Sequence, residues 1–359
     1  MKPQGLRPSA FSTNPFSLQP ESSEMPDHRT PPSSPRRRSV LTTLAAGALA
    51  PRAFAQPAAA PAWRPSKPVR FIVGFSPGGS ADVLARLLAE QMSKTLGQPV
   101  VVENIAGAGA GLAMQALTRA APDGHTIAMG SPGTHAINPA IMGAKLPFKV
   151  QDTQGITQLV TQPNVLIVNN GLGVGNLQQF IAWAKANPNA AYGSAGIGTS
   201  NHLCGELLSD RLNLKLTHAP YKGAAQVITD LIGGHIPMTF DNITTAANLA
   251  KEGKVKAIAV TTLQRSALLP DVPVLADAVP GFDLASWQGL FAPRGLPAPV
   301  LQELHKATVQ ALNAPEVRQR LTAFGSDPVG QSPAEFADFL NVEAKRWGDI
   351  VRAANLVEK

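Results

Sequence analysis

The chain has 359 residues, 44% of them hydrophobic and 15% charged, which suits a globular protein of about two domains with a sizeable core. Its one cysteine, Cys204, excludes an internal disulfide and a cysteine-built zinc site. The net charge of +7 is concentrated in the first 55 residues, which hold 7 of the 31 Lys and Arg but 3 of the 24 Asp and Glu; no basic stripe with interleaved aromatics follows, so nucleic-acid binding is not expected.

Residues 1–35 are rich in Pro, Ser and Thr. Arg36, Arg37 and Arg38 follow, then the apolar run VLTTLAAGALA, too short to span a bilayer, then Ala53-Phe54-Ala55 before Gln56. This order of basic segment, apolar segment and small-x-small site predicts a signal peptide over 1–55, cleaved near Ala55/Gln56. RRSVL also resembles a twin-arginine signal, with the general secretory route as the alternative. The basic segment is long, and a true translation start at Met25 would leave a signal of ordinary proportions.

From Lys67 onward, FIVGF, PVVVEN, HTIAMG, NVLIVNN, KLTHAPY, MTFDN and VKAIAVTT read as strands. Helical spacing separates several of them, as in Val83, Leu84, Leu87, Leu88 and Met92. Alternating strands and helices predict an α/β fold with mostly parallel sheet and helices on both faces. From Pro299 the pattern is helical. One helix has Pro299 in its first turn, and PEVRQRLTAF ends at Gly325, a C′ glycine. The last helix opens on the capping box Ser332-Pro333-Ala334-Glu335, with Phe336, Phe339, Leu340, Trp347, Ile350 and Val351 as its apolar face.

The stretch GFSPG, Gly74 to Gly78, matches the wording of a hydrolase nucleophile elbow around Ser76. The residue after the nucleophile should donate its N–H to the oxyanion, but here it is Pro77, which has none. That argues against catalysis. What remains is Gly78, Gly79 and Ser80 running into a helix, with Ser80 a candidate cap and Asp82 in the first turn. Such a turn either cradles an anion with free N–H groups at a helix N-terminus or is an ordinary capped βα turn. Asp82 would either brace the loop or meet a cationic or hydroxyl group.

A second turn of the same layout runs from Ser194 through Gly196, Gly198, Thr199 and Ser200 to His202, and it lacks the G-K-[ST] of a nucleotide P-loop. His202 would bond either a ligand or a loop carbonyl, and Cys204 reads as a small buried residue. A third turn places Ser131, Thr134, His135 and Asn138 after a strand. GAGAGL, 107–112, half-matches a dinucleotide fingerprint, but Leu112 stands where the third glycine belongs. Lys222 is a counter-charge or a solvated lysine, and Asp241-Asn242 at a strand end either reach a cleft or cap the next helix. No metal-ligand spacing occurs and no cofactor is expected.

In order, PVRFIVGFSPGGSADVLAR, LGQPVVVENIAGAGAG, APDGHTIAMGSPGTHAINP, YGSAGIGTSNH, APYKGAAQVITDLIGGHI, TFDN and GLFAPRGLPAPVLQELH resemble the solute receptors of tripartite tricarboxylate transporters, also called Bug receptors. The likeness covers essentially all of the chain after the signal. It implies a two-domain periplasmic binding protein of the type II-like kind, with a cleft between domains 56–165 plus 290–359 and 166–289. The crossing strands then fall near Asn164–Asn169 and Trp287–Ala292. It implies a non-enzymatic, monomeric receptor that holds a small carboxylate and serves the large and small membrane subunits of such a transporter. The alternatives are a receptor that presents its ligand to a sensor kinase, or an enzyme on the same fold. Carried onto this sequence, the ligand side chains and amides are those of Ser76, Gly78, Gly79, Ser80 and Asp82, facing Ser194, Gly196, Gly198, Thr199 and Ser200. Ser131, Thr134 and Asp241 line the same cleft. Two positions depart from the family: Ile105 stands where an arginine is frequent, and Ala110 where another residue precedes the helix.

Overall fold

The computed structural model describes residues 63–357, so the expected signal and the alternative start at Met25 lie outside the described residues. Strand β1 (Val69–Val73), helix α1 (Ser80–Leu96), β2 (Val100–Asn104), α2 (Gly111–Thr118) and β3 (Thr126–Gly130) follow in order. β1 pairs with β2 on one side and β3 on the other, both parallel. β3 is buried along its whole length, as a strand covered on both faces should be. Phe71 and Val73 face one way, into a core built with Leu84, Leu88 and Met92 of α1. Ile72 faces the other way, toward Met114 and Leu117 of α2.

After the short helix α3 (Asn138–Met142) comes β4 (Thr153–Asn169), which is 17 residues long. Only its second half is legible in the sequence as a strand. α4 (Leu177–Ala186), β5 (Ala191–Ser194), α5 (Ser200–Leu212), β6 (Thr217–Pro220), α6 (Ala224–Ile232), β7 (Met238–Asn242), α7 (Ile243–Lys251) and β8 (Val255–Val260) then repeat the opening pattern. β5 pairs parallel with β6 and β7. In this half, Leu166, Met238 and Phe240 pack on one face of the sheet, and Val165, Ile167 and Val227 on the other.

β9 (Ala285–Pro293) returns antiparallel between β3 and β4, its register with β4 running from Pro293 opposite Thr153 to Ala285 opposite Pro163. Beyond that point β4 changes partners, and Asn164–Val168 pair with β7. One mixed sheet results, ordered β2-β1-β3-β9-β4-β7-β5-β6, with β8 and the later β10 also on β4. Two parallel triplets are thus joined through antiparallel strands, β9 pairing with β3 of one and β4 with β7 of the other.

α8 (Ala298–Asn313) packs beside α1 and against β4. α9 (Pro315–Ala323) ends as expected at Gly325, whose φ is 62°. Gly325 donates to the Thr322 carbonyl and Ser326 to the Leu321 carbonyl, a Schellman closure. β10 (Asp327–Pro328) is followed by α10 (Pro333–Ala353), which has the predicted capping box, Ser332 with Glu335. Phe336, Trp347 and Val351 are fully buried on its apolar face. Glu343 interrupts that face: it is buried and accepts the indole N–H of both Trp287 and Trp347 at 2.7 Å, which ties α10 to β9.

Candidate functional site

The β1–α1 turn is held from below by Asp82. Its carboxylate, nearly buried, accepts from Gly78 N at 3.1 Å, Asn104 Nδ2 at 3.0 Å and Arg86 Nη2 at 2.9 Å. Burial pushes the pKa of Asp82 up, but hydrogen bonds from Arg86, Asn104 and the Gly78 amide outweigh it and hold the group below the usual carboxylate range. Asp82 therefore braces the loop, one of its two expected roles. Asp82→Ala is expected to lower stability by about 1–3 kcal/mol by leaving those donors unmet. Ligand affinity should fall with it, as thermal unfolding and titration of the variant would show.

Gly79, not Ser80, is the cap of α1. It takes an extended conformation and no side chain accepts from the first-turn amides. Ser80 is the first helical residue, and its Oγ instead accepts from Asn242 Nδ2 at 2.7 Å, linking the ends of α1 and β7. The amides at the start of α1 are consequently left for another acceptor.

The turn after β5 is capped differently. Thr199 accepts from His202 N at 3.3 Å and donates to the Gly196 carbonyl at 2.8 Å. His202 Nδ1 accepts from Gly198 N at 3.2 Å, so the imidazole holds the loop through an amide. Ser194 is fully buried, 2.6 Å from His218 Nε2 and bonded to Gly196, and it shapes the turn from inside. Burial and the neighbouring His202 lower the pKa of His218 to about 3, which keeps it neutral. Cys204 is buried, as expected.

Between these turns lies a cleft. Gly79, Ser80, Thr199 and Ser200 line it, as does Ser131. Ala224 and Asn242 join them, the first residue of α6 and the cap of α7. The N-termini of α1, α5, α6 and α7 therefore all reach one cavity. Neither α1, α6 nor α7 has a side-chain cap. Among the described residues lining the cleft, none is charged. Its polarity comes from short hydroxyls and amides, Asn201, Ser286 and Gln288 included, and its apolar wall from Phe75 and Met129. Four dipole ends without an opposing carboxylate make a setting for an anion.

The remaining expected residues sit around this lining rather than in it. Ser76 packs at the rim, where a Cβ on Gly223 would come within 3.0 Å of its amide. Gly78 is the left-handed residue of the turn, with φ at 88°. Thr134 is buried and bonded to both the amide and the carbonyl of Ser131, fixing that serine's turn. Gly196 and Gly198 supply the positive φ values, 132° and 70°, that bend the second loop. Gly196 borders a second cavity with Gly109, Ile197 and Lys222. Asp241 is buried behind Asn242 with one oxygen lacking a protein partner, and burial raises its pKa to about 7. Asn201, Ser286 and Gln288 were not expected. No local pattern marks them, because they come from α5 and β9 and converge only in the fold.

The profile of the family described as tripartite tricarboxylate transporter family receptor matches residues 84–356. Three solved structures are close in sequence and fold. The periplasmic binding protein BugD is 31% identical with a TM-score of 0.79, over 82% of this chain and 100% of that one. An R. palustris protein solved with adipate is 31% identical with a TM-score of 0.78, over 81% and 98%. MatC from Rhodopseudomonas palustris, with bound malate, is 34% identical with a TM-score of 0.76, over 80% and 99%. With its fold, its cleft and a match along nearly all of its described length, the chain belongs to the tripartite tricarboxylate transporter receptor family of periplasmic solute-binding proteins.

Proposed function

We propose that this protein captures a small carboxylate in the periplasm, without turnover, and delivers it to the large and small membrane subunits of a tripartite tricarboxylate-type transporter. The observation that carries the reading is the uncharged cleft at which four helix N-termini converge. The free amides of Gly79, Ser80 and the α6 and α7 first turns would hold the carboxylate, with the Ser131 hydroxyl as a further donor and Thr199 and Ser200 shaping the wall. Malate and adipate in two structural neighbours support an acid as the ligand class.

Residues 56–165 with 290–359 would move as one domain and 166–289 as the other, bending where β4 and β9 connect them. Closure is then favoured only by a ligand that bonds both sides, which gives it the differential affinity a switch requires. Export through residues 1–55, by the twin-arginine or the general secretory route and with cleavage near Gln56, belongs to the same proposal.

Thermal unfolding of the exported protein against a panel of carboxylates tests it. At a hundredfold excess over Kd, binding adds roughly 2.7 kcal/mol, which at about 2–4 °C per kcal/mol raises Tm by several degrees. No shift with any acid, from a sample that native mass spectrometry shows to be free of ligand, would overturn the reading.

A further inference from the structure

We infer that the acid taken by this cleft carries a hydroxyl group, and that Gln288 accepts its proton. The inference rests on the carboxylate reading above. Asn242 and Gln288 line the cleft, on opposite connections of the sheet: Asn242 ends β7 and Gln288 lies in β9. Asn242 Nδ2 is committed to Ser80 Oγ at 2.7 Å. Its Oδ1 and Gln288 Oε1 are both buried and have no protein partner. Buried amide oxygens are ordinarily satisfied, and leaving one unmet is costly. A bound carboxylate cannot meet them, because an ionised carboxylate only accepts.

A donor on the ligand would meet one of them, and two arguments make it a hydroxyl rather than an ammonium. First, an ammonium would face four helix N-termini with no counter-charge in the lining. Asp82 is committed to Arg86 and Asn104, and Asp241 lies behind the lining. Second, a hydroxyl both donates and accepts. If oxygen and nitrogen of either amide are exchanged, the unmet atom at that position becomes a donor, which a hydroxyl can still satisfy and an ammonium cannot.

The test is calorimetric titration of the exported protein with matched trios that differ in one group: succinate, malate and aspartate, then glutarate, 2-hydroxyglutarate and glutamate. The hydroxy acid of the better-fitting length is expected to bind at least about tenfold tighter than the plain acid, and the amino acid weakest. Equal affinity for plain and hydroxy acids, or preference for the amino acid, overturns the inference. Gln288→Met is expected to bring the hydroxy-to-plain ratio toward one. The wild-type series decides the question even if that variant fails to fold. The uncharged polyol erythritol separates the two readings. A receptor that ignores every acid but takes erythritol loses the carboxylate and keeps the hydroxyl; one that takes neither overturns both.

Discussion

Gly198→Val is expected to lower ligand affinity by about a hundredfold or more while the protein still folds. Gly198 sits at φ 70°, where a β-branched residue is strained. A Cβ there would come within 1.6 Å of Asn138 Oδ1 and 2.3 Å of its Cγ. Asn138 is itself 2% exposed, so it has little room to retreat. The loop must yield instead, and that loop carries Thr199, Ser200 and the N-terminus of α5, which form one wall of the cleft. An ångström of retreat displaces that wall from the ligand. The backbone strain itself costs about 1–3 kcal/mol, a shift of several degrees in Tm for domains of this size. Asn138→Ala in the same chain relieves the overlap and should recover part of the affinity. Gly79→Val provides the contrast. Gly79 has φ −81°, and its nearest neighbours to an added Cβ are Ala224 at 3.9 Å and Ser76 O at 4.0 Å. Its Tm should stay near that of the wild type while the added methyls crowd the cleft and weaken binding. Titration calorimetry and thermal unfolding of the three variants measure both effects, and wild-type affinity in Gly198→Val would show that the loop's position does not govern binding.

The locally encoded parts of this fold are legible in the amino-acid sequence. The β1–α1 turn announces itself through Gly78, Gly79 and leucines at helical spacing, and Thr199 is a cap because its hydroxyl reaches an amide three residues on. The last helix carries its start signal in four consecutive residues. The first half of β4 does not read as a strand, since TQGITQLVTQP holds polar residues where a buried strand would be apolar. Distant partners take up several of those polar atoms: Gln162 Oε1 accepts from Thr244 and Ser326 at 2.8 Å each, and Thr157 donates to the Gln331 carbonyl. Glu343 is hidden for the same reason, because only two remote indole N–H groups make a carboxylate tolerable on a buried helix face. In the cleft, the two glycine-rich turns are legible and the amides that complete the lining are not. Ser80 and Asn242 meet across 162 positions of sequence, a pairing no window along the chain can contain. Asp82 shows the converse case: its position in the first turn is visible, but only Arg86 and Asn104 decide that it serves the loop.

Asp241 gives the second large effect. Asp241→Asn is expected to unfold at a higher temperature than the wild type at pH 8 and at nearly the same temperature at pH 4.5. Burial pushes the Asp241 pKa up to about 7, and a hydrogen bond from the Asn242 backbone offsets this only in part. In the unfolded chain the group titrates near 3.9. Between these values the folded protein keeps a proton that the unfolded chain has released, so stability falls as pH rises from about 4 to about 7 and levels off above. A shift of about three units corresponds to roughly 4 kcal/mol at full ionisation, an upper bound for one group. Asparagine keeps the size and shape of the side chain and removes the ionisation, so the gain should be absent where Asp241 is protonated and complete above pH 7. For domains of this size it amounts to a difference on the order of ten degrees in Tm at pH 8. Paired melting curves from pH 4.5 to pH 8 would show it. A difference that stays constant across that range would mean that Asp241 keeps an ordinary carboxylate pKa despite its burial.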